Sequence, residues 1–130
     1  MYEEENVNVT ESSTTEIVVK TNMNELRDKY KKADGKIYEV TTTLQIDDEE
    51  EKSYDFIFRK PKPASYDRYV KTSSTSSTKA LKTFVLDNIC EEQMGELADA
   101  LEEYPAMAIS LGEKLLNMLG LSKDTTVKKL

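Results

Sequence analysis

The chain has 130 residues, 33% of them charged, with a net charge of −7 and no histidine. That length suits one domain, and the negative balance argues against nucleic-acid binding, since phosphate neutralisation supplies most of such affinity. The single cysteine, Cys90, excludes an intramolecular disulfide and the common zinc sites built from several Cys and His ligands.

The charge is also unevenly laid out. Asp47 to Glu51 is an unbroken acidic run, and Glu91 to Glu103 holds six acids and no base. Arg59 to Lys82 holds seven Lys or Arg against one Asp. Such a dipolar layout suits a protein partner better than a polyanion.

In chain order, residues 1–16 are polar and acidic, and the composition predicts a disordered tail. With no apolar run there, no secretory signal is expected, and the protein reads as cytoplasmic. Ile17, Val18 and Val19 are β-branched and could add a short strand to a sheet edge. A short helix is expected over Asn24 to Ala33, capped by Thr21 or Asn22 and stopped by Asp34-Gly35.

Lys36 to Asp47 alternates, with Tyr38, Val40, Thr42, Leu44 and Ile46 on one side. Tyr54, Phe56 and Phe58 alternate with Asp55, Ile57 and Arg59 in the following run. Two such runs joined by an acidic loop predict an antiparallel hairpin with one buried face. The loop lacks the alternating acids, central Gly and closing Glu of an EF-hand, so a solvated turn is expected and no metal.

Prolines 61 and 63 end the second strand and set up a helix over Ser65 to Thr72, with Tyr66, Tyr69 and Val70 on its apolar side. Ser73 to Thr78 reads as a polar linker. A helix over Lys79 to Cys90 repeats Leu81, Val85 and Ile89 at four-residue steps, which places Cys90 as a buried structural thiol. The next helix has Met94, Leu97, Ala98 and Leu101 as its apolar stripe. Pro105 is expected to open the last helix, where Ala108, Leu111, Leu115 and Leu119 recur and Gly120 ends it. The tail from Ser122 to Leu130 is expected to be loose. Strands first and helices after is the α+β pattern: an N-terminal hairpin, with room for a third strand, then a bundle of about four helices. The expected organisation is a tail over 1–16, one domain over 17–121 and a loose end over 122–130.

No chemistry of catalysis stands out. Histidine is absent, the glycines are scattered and the carboxylates sit on expected wet faces. No enzyme activity, no cofactor and no catalytic residue is expected. No apolar stretch is long enough to cross a bilayer, so no membrane partner is expected either.

The order of features carries more than any one motif. A hairpin ends in FIFRKPKPASYDRYVK, an apolar helix ALKTFVLDNIC follows, and an acidic helix runs into EEYPAMAISLGEKLLNMLG. This resembles the tail assembly chaperones of tailed bacteriophages over about residues 36–121. Arg59, Pro61, Arg68, Tyr69, Tyr104, Pro105 and Gly120 match the family pattern, and Ala106 departs from it where a glycine is expected near the proline. The resemblance implies a protein of the host cytoplasm that is absent from the mature virion. It implies binding to the apolar helical stretches of the tape measure protein and recruitment of tail tube protein during morphogenesis. Methionine suits an adaptable apolar surface, and Met94, Met107 and Met118 lie in the last two helices. Leu111, Leu115, Met118 and Leu119 are the expected contacts for a client or for self-association, with Tyr66, Arg68 and Tyr69 as a second surface. The alternative is a small acidic adaptor, or a DNA-mimic inhibitor acting through its acidic runs.

Overall fold

A computed structural model of the chain describes residues 23–32 and 35–130. The chain divides into two units, Met1–Gly35 and Lys36–Leu130. In the first, residues 23–32 form helix α1, as the sequence leads one to expect. The acidic tail over 1–16, the strand at Ile17–Val19, the caps at Thr21 and Asn22 and the turn at Asp34 lie outside the described residues.

The second unit is α+β. Its strands β1 (Ile37–Gln45) and β2 (Glu51–Arg59) pair antiparallel, with Val40 opposite Phe56 and Thr42 opposite Tyr54. The acidic loop closes on itself: Ile46 N–H donates to the Glu50 carbonyl at 2.9 Å, and the Asp47 carboxylate accepts from Glu49 N–H at 2.8 Å. That Asx-type bond gives Asp47 a part in the turn, because its side chain supplies an acceptor for a turning backbone N–H.

Alternation holds from Val40 onward on β1, but Tyr38 at the strand's start is exposed. On β2 the alternation fails. Phe56, Ile57 and Phe58 are all buried, because a later segment covers the second face and the outer edge of the strand.

Four helices follow: α2 (Pro63–Ser73), α3 (Ser77–Asn88), α4 (Met94–Glu103) and α5 (Met107–Met118), with a 3-10 turn at Glu91–Gln93 before α4. Pro63 occupies the first turn of α2, two residues ahead of the expected start, where its missing N–H leaves nothing unpaired. The Ser/Thr run is shorter as a linker than it reads in sequence. The Ser73 and Ser74 hydroxyls donate to the carbonyls of Val70 and Lys71, and Ser76 caps α3 by accepting from Lys79 N–H at 3.3 Å. Each hydroxyl therefore meets a backbone group that a helix end leaves orphaned.

α3 ends at Asn88, so Ile89 and Cys90 are extended rather than helical. Ile89 bridges Phe58, and Cys90 N–H donates to the Ile57 carbonyl at 2.9 Å. Cys90 is buried, and burial pushes its thiol up from the usual cysteine range, which suits a structural role.

The last helix begins at Met107, with Pro105 and Ala106 in a turn ahead of it. Met107 and Ala108 N–H donate back to the carbonyls of Tyr104 and Pro105 at 3.0 and 3.1 Å. This tight winding reverses the chain after α4 before α-helical bonding resumes. On α4 the buried stripe is Leu97, Ala100 and Leu101, while Met94 is exposed.

The core joins Phe56, Phe58, Phe84, Val85, Ile89, Leu97, Met107, Leu111 and Leu115 into one cluster. α3 is the central helix: it packs on α2, α4 and α5. Gly112 lets α5 approach it, since a Cβ there would lie 2.6 Å from Leu81 Cδ2.

Candidate partner-binding groove

The candidate site is built where β2 ends and α5 ends. Lys60 N–H donates to the Lys36 carbonyl at 2.8 Å, the last rung of the hairpin. Pro61 and Pro63 then turn the chain into α2, which presents Tyr66 and Tyr69 three residues apart on one face. Opposite them stands the end of α5. Gly120 takes a left-handed φ of 101°. Leu121 N–H donates to the Leu116 carbonyl at 3.0 Å, and Gly120 N–H donates to the Asn117 carbonyl at 3.1 Å. This pair of bonds is a Schellman ending. Leu116 and Leu121 on either side of this ending line one groove with Tyr66 and Tyr69 of α2.

The result is a groove of about 840 Å³. Its walls are mainly Tyr66, Tyr69, Leu116, Leu119 and Leu121, with Lys60 and Pro61 at the strand end, and among the described residues no carboxylate lines it. Tyr69 is anchored from behind by Phe84, ring centroids 4.9 Å apart, and Tyr66 lies 6.4 Å from Tyr69. One wall is therefore fixed to the core, while Tyr66 remains exposed.

The residues expected as contacts separate into groups. Tyr66, Tyr69 and Leu119 converge on the groove. Leu111 and Leu115 are buried in the core under α3. Their spacing is that of a partner stripe, but the partner is the chain's own α3 and hairpin. Met118 is partly buried against that core, and Met107 is fully inside it. Arg68 lies beside the groove but is engaged within the fold: its guanidinium Nε and Nη2 both reach Asp87 Oδ2 on α3, at 3.3 and 2.9 Å. Lys60, Leu116 and Leu121 are groove residues that sequence reasoning missed. The Leu-Gly-Leu sequence at 119–121 was the available signal for the last two, since a Schellman ending pairs the residue after its glycine with one a turn earlier.

No helix among the described residues is long and apolar enough to cross a membrane. Among the described residues no group of three or more Cys, Asp or Glu is placed to hold a metal ion.

The fold and the groove define a small α+β domain in which a hairpin carries a helical layer, with an apolar trough open between α2 and the end of α5. The chain belongs to the family described as domain of unknown function DUF6848, whose model matches residues 26–128. It is similar to the solved structure of an uncharacterised protein from Bacillus stearothermophilus, at 27% identity with a TM-score of 0.65. That similarity covers 82% of this chain and 99% of the other, so it takes in essentially the whole of the second protein. No curated protein matches the chain.

Proposed function

We propose that this protein is a tail assembly chaperone of a tailed bacteriophage. It binds apolar helical stretches of the tape measure protein, keeps them from aggregating and helps to recruit tail tube subunits around them. It acts in the host cytoplasm without catalysis or cofactor and is left out of the finished virion. The observation that supports this reading best is the convergence of Tyr66 and Tyr69 of α2 and Leu119 at the end of α5 on one open apolar groove. Such a trough suits the helix-in-groove mode, in which apolar side chains spaced along one helix face enter a preformed channel. The bundle of four helices behind the hairpin serves in this reading to hold the groove's two walls apart.

Co-expression with a phage tape measure protein tests it. The client is expected in the soluble fraction with the intact chain and in the pellet with Leu119→Asp. Client solubility that is the same with and without the intact chain would sink the reading. Self-association belongs to the same proposal and is read by light scattering: a mass that rises with concentration supports it, and a strict monomer removes any ring or coil of copies around the client.

A further inference from the structure

The hairpin is firmly anchored at one end. Phe56, Ile57 and Phe58 are buried, and Ile89, Cys90 and Gln93 bond the same part of β2 from outside. Toward the acidic loop both strands emerge. Thr41, Thr43 and Gln45 are exposed on β1, as are Glu51, Lys52 and Ser53 on β2. Leu44 and Tyr54 are only partly buried against the core there.

This distal half meets the reversal between α4 and α5. Leu44, Gln45 and Ile46 form one wall of a cleft of about 520 Å³, and Tyr104, Pro105 and Met107 form the other. Lys52 pairs with Leu44 in the register. Its ammonium lies 5.4 Å from the ring centroid of Tyr54 on its own strand and 5.7 Å from that of Tyr104 across the cleft. Both rings attract a cation through their π faces. Its pKa is raised above the usual lysine value, first by a hydrogen bond to Tyr54 and also by the nearby Glu103 carboxylate. Acids stand on both sides of it: Glu51 is the register partner of Gln45, and Glu103 lines the far wall.

We propose that the distal half of the hairpin is a flap over the α4–α5 reversal, latched by Lys52, and that it opens as a unit while the base of the hairpin stays fixed. Segments with little buried surface open at a cost well below that of global unfolding. The hinge falls beside Asp55, where the bonds from Gln93 to Ile57 and to the Asp55 carbonyl end. Opening moves Leu44 away from the core and uncovers Met107, which lines the cleft and is 2% exposed when the flap is shut. The cleft shares no lining residue with the groove, so the flap does not depend on the client reading.

Peroxide oxidation of the methionines in the full chain, resolved by peptide mass, tests the flap. Each sulfoxide adds one oxygen to an accessible thioether, and the rate at a buried one tracks how often it is uncovered. Met94, 45% exposed, is the reference for an open thioether. Met118, partly buried against the core, reports loosening elsewhere on α5. In Lys52→Gln, Met107 is expected to oxidise about 5-fold faster than in the parent chain, with Met94 and Met118 unchanged. Lys52→Arg keeps a cation over both rings and is expected to keep Met107 protected. An unchanged Met107 rate in Lys52→Gln would overturn the proposal. A parallel rise at Met118 would do the same, because the whole helix would then be loosening. So would equal loss of protection in the Arg and Gln variants, or a parent chain in which Met107 oxidises as fast as Met94.

Discussion

Gln93 holds the outer edge of β2 through Ile57: its side-chain oxygen accepts from the Ile57 N–H at 2.8 Å. The same amide's nitrogen donates to the Asp55 carbonyl at 2.9 Å, and the Cys90 thiol donates to its oxygen at 3.3 Å. Gln93 is 4% exposed, so a side-chain amide stands in for a short third strand where backbone groups would otherwise be orphaned.

Gln93→Ala is therefore expected to destabilise the protein by about 1–3 kcal/mol, since it leaves a buried donor and acceptor unmet. Gln93→Glu separates the two bonds. A carboxylate can accept from Ile57 N–H but repels the Asp55 carbonyl, so its folded-state pKa should rise above the unfolded value. The stability of that variant should then be greatest below the ordinary glutamate range and fall as pH rises through the raised pKa. Urea unfolding of both variants across pH checks this. A Glu variant whose stability grew with pH would show that the amide's donor side contributes nothing.

Glu96 makes a smaller prediction with the same sign. Burial, and then the nearby Asp55 carboxylate, raise its pKa above the usual glutamate value. A raised carboxyl binds its proton more tightly when folded, so stability is lost as pH climbs through that pKa. Glu96→Gln is expected to stabilise the protein at neutral pH by roughly a few tenths of a kcal/mol, the effect being discounted for solvent screening. The gain should vanish below the ordinary carboxylate range, and denaturant midpoints at two pH values suffice to see it.

The approach of α5 to α3 is tight at Gly112. Gly112→Val is expected to cost about 1–3 kcal/mol by overpacking against Leu81. Gly112→Ala should be better tolerated, by about 1 kcal/mol or more, in a Leu81→Ala background than alone, because the truncation removes the atom that a new Cβ meets at 2.6 Å. Additive effects in a double-mutant cycle would mean that Leu81 simply rotates away.

Gly120 couples stability to the groove. Its left-handed backbone makes Gly120→Ala cost about 1 kcal/mol. The same change loosens the bonds that bring Leu121 to Leu116, so client binding should weaken more than Tm falls. A variant with a lowered Tm and unchanged binding would separate the ending from the groove.

Much of the local structure is legible in residue order. The β-branched and aromatic alternation over 37–59 marks the hairpin, Pro63 the start of α2, the Ser/Thr run the α2–α3 turn, and Gly120 the end of α5. These features depend on neighbours a few residues apart, and propensity and capping act over that range. The alternation misleads at Ile57, which reads as outward because its second cover comes from Cys90 and Gln93, more than thirty residues later. Nor does the apolar stripe of α5 tell core from contact surface, since both need the same spacing. Leu111 and Leu115 are inside the core beside Gly112, where α5 comes close to α3, while Leu119, one turn further on, is only partly buried against that core and lines the groove.

The sequence by itself determined the elements, their order and the overall charge separation, because those follow from local backbone preference and composition. Tertiary structure alone decided which apolar residues remain open and which base rims them. A groove is the space left between α2 and the end of α5 once each has met its own neighbours, and that space depends on packing between residues far apart in the chain.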